Sequence, residues 1–278
     1  MDNESGLNMR KIFIWLSIIF ILAWTLLPFY SLIIISLAKT GSISELWPKS
    51  VTFEYYKAVI FGSPDTRSIW VYMKNSVIVC SVSSIVVIML SVPCSYALSR
   101  WKSKSSNAMY MSYFILRMLP PISLIIPRII LLQNLHLIDT FLGLALIYIP
   151  TQIPVGVWLM RGFFDSTPIE FEEYAYIEGA TYFKTFFRIV LPVNTNGVAV
   201  TSVFVFIYCY IEYIFAALIT RTNAITLPPY IASFASPWEI RFQLMLAAAL
   251  ISTIPMIVLY AFAQRFIVKG ITVGAVKQ

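Results

Sequence analysis

The chain has 278 residues, of which 59% are hydrophobic and only 12% charged, and its mean hydropathy is +0.80; a soluble domain carries about 25% charge. That balance excludes a soluble globular enzyme and predicts an all-α, polytopic membrane protein, because a spanning helix satisfies its own backbone in hydrocarbon. The formal charge of +7 comes from Lys and Arg scattered through loops, which reads as a topology signal and not as a nucleic-acid surface.

Residues 1–11 form a polar leader ending in Arg10 and Lys11, which predicts a cytoplasmic N-terminus. Six apolar runs of spanning length follow, at about 12–37, 70–98, 108–133, 140–160, 193–220 and 242–267, so residues 12–278 read as one six-helix transmembrane domain. The first run is too long for a signal-peptide core and lacks a small-residue cleavage pattern, so it reads as a retained span. Trp47, Pro48, Phe53, Tyr55 and Tyr56 then suggest an outer loop whose aromatics lie at the interface. Arg100, Lys102 and Lys104 mark the return to the cytoplasm after the second run. The third run holds Arg117, Arg128, Pro120, Pro121 and Pro127, which predicts a kinked helix. Arg161 marks the inner end of the fourth. Six crossings put residues 268–278 on the inner side as a tail, and more Lys and Arg fall on that side than on the other. Cys80, Cys94 and Cys209 lie in apolar runs and, with His136 as the single histidine, make neither a disulfide framework nor a metal cluster.

The loop 161–192 contains the longest polar stretch of the second half, from Thr167 to Pro192. Thr167 as N-cap, Pro168 at the first helical position and Glu170 at the third predict a capping box. The helix is expected to stop at Gly179, the residue best able to take a left-handed conformation. Thr181 then caps a second helix, with Phe183, Phe187 and Val190 on one face and Lys184 and Arg188 on another. This unit cannot cross a bilayer, because it carries Glu170, Glu172, Glu173, Glu178, Lys184 and Arg188.

Glu212 lies inside the fifth apolar run. An acidic group at mid-span costs about 2.5 to 3.5 kcal/mol unless paired or wet, so it demands a partner. Three readings stand: a pathway or gate residue near Arg117 or Arg128, a member of a structural ion pair, or a residue that lies closer to the interface than mid-span.

Glu172, Glu173, Ala175, Glu178, Gly179, Ala180, Phe187, Ile189, Leu191 and Pro192 resemble the EAA loop of inner-membrane permease subunits of binding-protein-dependent ABC importers. The resemblance extends to Asn75, Ser76, Tyr96, Ala97, Leu98, Arg100, Leu137, Asp139, Thr140, Gly143 and Leu144, as in the carbohydrate branch. Glu212 with Tyr213, and the ending with Gly270, Gly274, Val276 and Lys277, are similar to the maltose-type "G" subunit. Tyr174 departs from the usual alanine, Asn196 from a frequent proline, and Tyr210 and Ile211 stand where Trp-Asn is usual.

The resemblance implies the type I ABC importer permease fold, in the cell membrane with both termini cytoplasmic. It also implies that Glu172, Glu173, Ala175, Glu178, Gly179, Ala180, Phe187, Leu191 and Pro192 couple to an ATPase, and that Gly274, Val276 and Lys277 reach between two copies of it. The implied partners are a second permease subunit, two cytoplasmic ATPase copies, an extracytoplasmic sugar-binding protein and membrane lipid. The chain has no G-x-x-x-x-G-K-S/T run, so ATP and Mg are expected on the ATPase and this subunit is expected to be non-catalytic. Because sugar faces stack on aromatic rings, Tyr208, Tyr210 and Tyr213 join Glu212 and Arg117 as pathway candidates. An importer for glycerol phosphate or a polyamine is the alternative within the family. An ion-driven transporter would call for paired inverted repeats with broken helices.

Overall fold

The computed structural model describes residues 2–39, 50–64, 66–118, 120–235 and 240–275. Among these the regular structure is helical, and extended pairing is confined to isolated bridges such as Ala38 to Val51. Helix α1 spans Asp2–Leu37 and α2 spans Glu54–Phe61. Along α1, Ser17, Thr25 and Ser31 each donate their hydroxyl to the carbonyl four residues back, so polar side chains are satisfied within the helix in an otherwise apolar, outward-facing surface.

Helix α3 covers Ile69–Arg100 and α4 covers Lys104–Met118. The third apolar run is not one kinked helix. It breaks after Met118, makes a 3-10 turn over Pro121–Leu124 and resumes as α5, Ile125–Asn134, because two successive prolines remove two backbone donors at once. Helix α6, Phe141–Ser166, keeps Pro150 and Pro154 inside it and runs past the expected end at 160. Next come α7 (Glu170–Ile177), α8 (Tyr182–Thr185), a π-helical turn over Phe186–Val190 and the short α9 (Leu191–Val193).

The fifth run is also interrupted. Helix α10 spans Thr195–Tyr210 and α11 spans Ile214–Ile219, with residues 211–213 outside both. Helices α12 (Leu227–Ala232), α13 (Phe242–Ser252) and α14 (Ile254–Ala275) complete the chain. Among the described residues four helical stretches are long and apolar enough to cross a membrane: Arg10–Leu37, Ile69–Arg100, Phe141–Ser166 and Phe242–Phe266. The pair Tyr182–Val193 and Thr195–Tyr210, bent by 73°, makes a fifth if counted as one span.

The helices form two compact units, Met1–Ile69 with Ile231–Thr253 and Trp70–Tyr230 with Ile254–Gln278. In the first, α1 and α2 both pack on α13, and the Ser36 and Tyr56 hydroxyls meet at 2.6 Å. In the second, α10 packs on α6 and α14, and α4 and α11 also lie on α6. Helix α3 comes so close to α6 that a Cβ on Gly156 would meet Ser91 Oγ at 2.4 Å. Only glycine permits that approach.

The end of the second unit where α6 begins is clamped by Asp139, which has φ 57°. Its carboxylate accepts from the backbone N–H groups of Arg221, Thr222, Asn223 and Ala224 at 2.8 to 3.2 Å, and from the Thr222 hydroxyl at 2.7 Å. Burial pushes this carboxyl up, but those donors outweigh it and hold it well below the usual carboxylate range. From α3, Asn75 Nδ2 donates to the carbonyls of Asn223 and Ile225, and Ser76 Oγ accepts from Leu227 N. Residues 221–227 are therefore tied from two sides.

Candidate functional site

At the other end of α6 the chain turns into α7. Glu170, Glu172 and Glu173 all fall in the first turn of α7, where the exposed amides favour negative charge. The predicted capping box does not form. Thr167 is extended and closes α6, its hydroxyl lying 3.0 Å from the Phe163 carbonyl and 3.0 Å from Asn194 Oδ1. With the hydroxyl so engaged, α7 starts at Glu170 without a side-chain cap.

Glu172 and Glu173 are neighbours with opposite surroundings. Glu173 is exposed, whereas Glu172 is 3% exposed. Glu172 Oε1 accepts from Arg100 Nε at 2.6 Å and Oε2 accepts from the Tyr96 hydroxyl at 2.6 Å. Arg100 Nη1 donates to the Phe164 carbonyl at 3.1 Å and Nη2 to the Thr167 carbonyl at 3.2 Å. One guanidinium thus fastens the ends of α3 and α6 to α7. A charged pair taken from water is stable only when its remaining donors and acceptors are also engaged, and this geometry meets that requirement.

Glycine 179 ends α7 as expected. It has φ 82°; its N–H donates to the Tyr176 carbonyl at 3.0 Å, and Ala180 N–H donates to the Ala175 carbonyl at 2.9 Å. These two bonds make a Schellman closure. Thr181 caps α8, accepting from Lys184 N.

The expected face of Phe183, Phe187 and Val190 is not the observed one. Phe186 and Val190, four residues apart at the two ends of the π turn, point inward and pack with Val92, Met160 and Phe164, while Phe183 and Phe187 stay exposed. Tyr96 joins the cluster, its ring 4.8 Å from Phe186 and 5.6 Å from Phe164. Leu191 packs against the cluster and Ala175 is buried. Glu178 and Pro192 are exposed and Ala180 half-buried. Asn194 sets the 73° bend before α10, donating to the Val190 carbonyl at 2.8 Å.

The surface left outside is apolar. Phe171, Tyr174, Ile177, Tyr182 and Phe183 are exposed, with Ile177 at 81% and Phe183 at 78%. They lie among Glu173, Glu178, Lys184 and Arg188, which are exposed as well. Exposed apolar patches rimmed by polar residues mark sites of protein or membrane interaction.

Glu212 sits in the break between α10 and α11, and its described partners are not arginines. Its carboxylate accepts from Phe215 N at 2.9 Å, Ala216 N at 3.1 Å and the Tyr148 hydroxyl at 3.0 Å. It caps the short helix α11 from within the apolar run. Arg128 instead lies over the Phe215 ring at 5.0 Å. Tyr210 is buried with its ring 5.9 Å from Phe206, while Tyr208 and Tyr213 are exposed. Arg117 falls on α4, and its side chain lies outside the described residues. Gly274 is helical, within α14, and Val276 and Lys277 lie outside the described residues.

Tyr96 entered the sequence reading by resemblance and Arg100 by resemblance and as a topology mark, and their bonds to Glu172 had no local signal across 76 and 72 positions. The hydroxyl and guanidinium in one chain segment, and the carboxylate in another, become a pair only once α3 and α6 are packed.

Comparison with known proteins gives a consistent picture. The family described as "Binding-protein-dependent transport system inner membrane component" matches residues 88–273. The trehalose/maltose transport system permease protein MalG of Thermococcus litoralis is 31% identical, over 97% of this chain and 98% of its own. The inner membrane ABC transporter permease protein YcjP of Escherichia coli is 30% identical over 91% of each chain. The trehalose transport system permease protein SugB of Mycobacterium tuberculosis is 29% identical over 92% of this chain and 94% of its own. Among solved structures, a bacterial ABC transporter involved in import of the acidic polysaccharide alginate superposes with TM-score 0.71, at 18% identity, over 93% of this chain and 96% of that one. That likeness gives the fold.

Proposed function

The chain belongs to the family of binding-protein-dependent transport system inner membrane components, and on that premise we propose that it is a permease subunit of an ATP-driven sugar importer. It is a multi-pass membrane protein. Relatives named for trehalose and maltose transport support sugar as the cargo. In this reading the chain crosses six times with both termini cytoplasmic, and it pairs with a second permease subunit. Two ATPase copies hold ATP and Mg, and an extracytoplasmic binding protein delivers the sugar.

The observation that carries the coupling reading is the two-sided build of residues 167–192. The inner side is fixed to α3 and α6 through Arg100 and Glu172, and the outer side offers Phe171, Tyr174, Ile177, Tyr182 and Phe183. ATP binding would draw the two ATPase copies together and carry this unit with them. Because the Arg100 bonds leave little slack between α7 and the bundle, the displacement reaches α3 and α6 and reverses the side on which the path opens. Such a change requires contacts that differ in energy between the two states, which the apolar face supplies at the ATPase surface. Glu173, Glu178 and Gly179 serve the outer side in this scheme, and Glu212 with Tyr148 serves the path.

The test is uptake of labelled trehalose or maltose by proteoliposomes containing the whole transporter, with the binding protein outside and ATP inside. The reading expects uptake that needs both ATP and the binding protein. Uptake of glycerol 3-phosphate or spermidine in its place, with neither disaccharide competing, would move the assignment to another solute of the same importer class.

A further inference from the structure

Beside the coupling segment, but apart from its apolar face, the ends of α3, α4 and α6 line an open cavity of about 600 Å³. Arg100, Lys102, Lys104 and Arg161 line it against a single carboxylate, Asp165. Arg100 is engaged with Glu172, and Arg161 Nε lies 3.4 Å from Asp165. Lys102 and Lys104 therefore face the cavity uncompensated by the acidic group that lines it.

Arg161 is held in place yet incompletely bonded. Its guanidinium lies 3.9 Å from the centre of the Tyr110 ring, and Nη2 donates to Asn107 Oδ1 at 3.4 Å. Nη1 is buried and has no hydrogen-bond partner among the described residues. That atom is closed off from the cavity, so Arg161 would act on a ligand there through its charge and not through Nη1. The N-terminus of α4 opens at the same place, where Ser103 caps the helix by accepting from Ser106 N at 3.0 Å. Its dipole adds further positive potential.

We propose that this cavity binds a phosphate group. Two lysines as donors, with the charge of two arginines behind them, make a positive lining that suits phosphate oxygens, and the volume leaves room for a glycerol headgroup beyond the phosphate itself. Trp101 next to the cavity is 63% exposed, as an indole at the headgroup level of a bilayer is. The favoured source is therefore the headgroup phosphate of an anionic phospholipid, with free inorganic phosphate as the soluble source of the same chemistry.

The experiment uses the assembled transporter, exchanged into nanodiscs of phosphatidylglycerol or phosphatidylcholine and then released into detergent, with retained lipid counted by native mass spectrometry. Wild type is expected to retain phosphatidylglycerol over phosphatidylcholine. Lys102→Gln with Lys104→Gln, both at exposed positions, is expected to weaken that retention about five-fold for each charge removed. Arg161→Gln should weaken it too, without changing retention of phosphatidylcholine. Equal retention of the two lipids by wild type, or undiminished phosphatidylglycerol on the double lysine variant, overturns the site. Displacement of the lipid by millimolar inorganic phosphate keeps the phosphate site and overturns the lipid source.

Discussion

Two successive glutamates on one short helix behave differently because one has left water and the other has not. Glu172→Ala leaves Arg100 partly buried without its counter-charge, which costs about 3 to 5 kcal/mol for a buried pair. The variant should lose much of its thermal stability in detergent, while Glu173→Ala should melt with wild type. Replacing Arg100 and Glu172 together by methionine should recover much of the loss, since an apolar pair strands no charge; a double variant as unstable as the worse single would contradict the pairing. Asp139 carries a pH signature. Its folded carboxyl titrates below its unfolded value, so its contribution is complete above roughly pH 4 and is lost as the pH falls through the lower, folded value. Thermal unfolding of wild type and Asp139→Asn should therefore differ most near neutrality and converge in acid.

At the scale of the element, the α7 to α8 turn depends on one backbone conformation. A Cβ on Gly179 would meet nothing within 4 Å, so substitution is opposed by the positive φ alone, at about 1 to 2 kcal/mol for an ordinary residue. Gly179→Asn should be milder than Gly179→Ala, because asparagine visits that region more readily; the order of the melting temperatures checks this. This turn was legible in the sequence because its chemistry is local: a left-handed glycine, then Thr181 as cap. The start of α7 was not, since the Thr167 hydroxyl meets Asn194, 27 positions away. Helical periodicity likewise grouped Phe187 with Val190 on one face, whereas Phe186 is the residue that joins Val190 in the buried cluster, across a π turn. The expectation that Glu212 needs a partner was sound in its energetics. It missed that a broken helix supplies one, through two amides and the Tyr148 hydroxyl.

At the scale of the whole molecule, composition and run length were enough to indicate a helical membrane protein, since lipid imposes the same demand on every span. The two interruptions, after Met118 and at residues 211–213, needed the structure. The central claim is that residues 167–192 hold the bundle on one side and the ATPase on the other, and the two sides separate experimentally. Ile177 and Phe183 are the most exposed large apolar residues of α7 and α8; changing both to aspartate leaves the Arg100 bonds and the inner cluster intact. The decisive measurement is ATPase copurification and ATP-driven uptake for Ile177→Asp with Phe183→Asp, alongside the melting temperature of the purified subunit. The account predicts an unchanged melting temperature with loss of both the ATPase and uptake. A well-folded variant that still binds the ATPase and transports at the wild-type rate would contradict it.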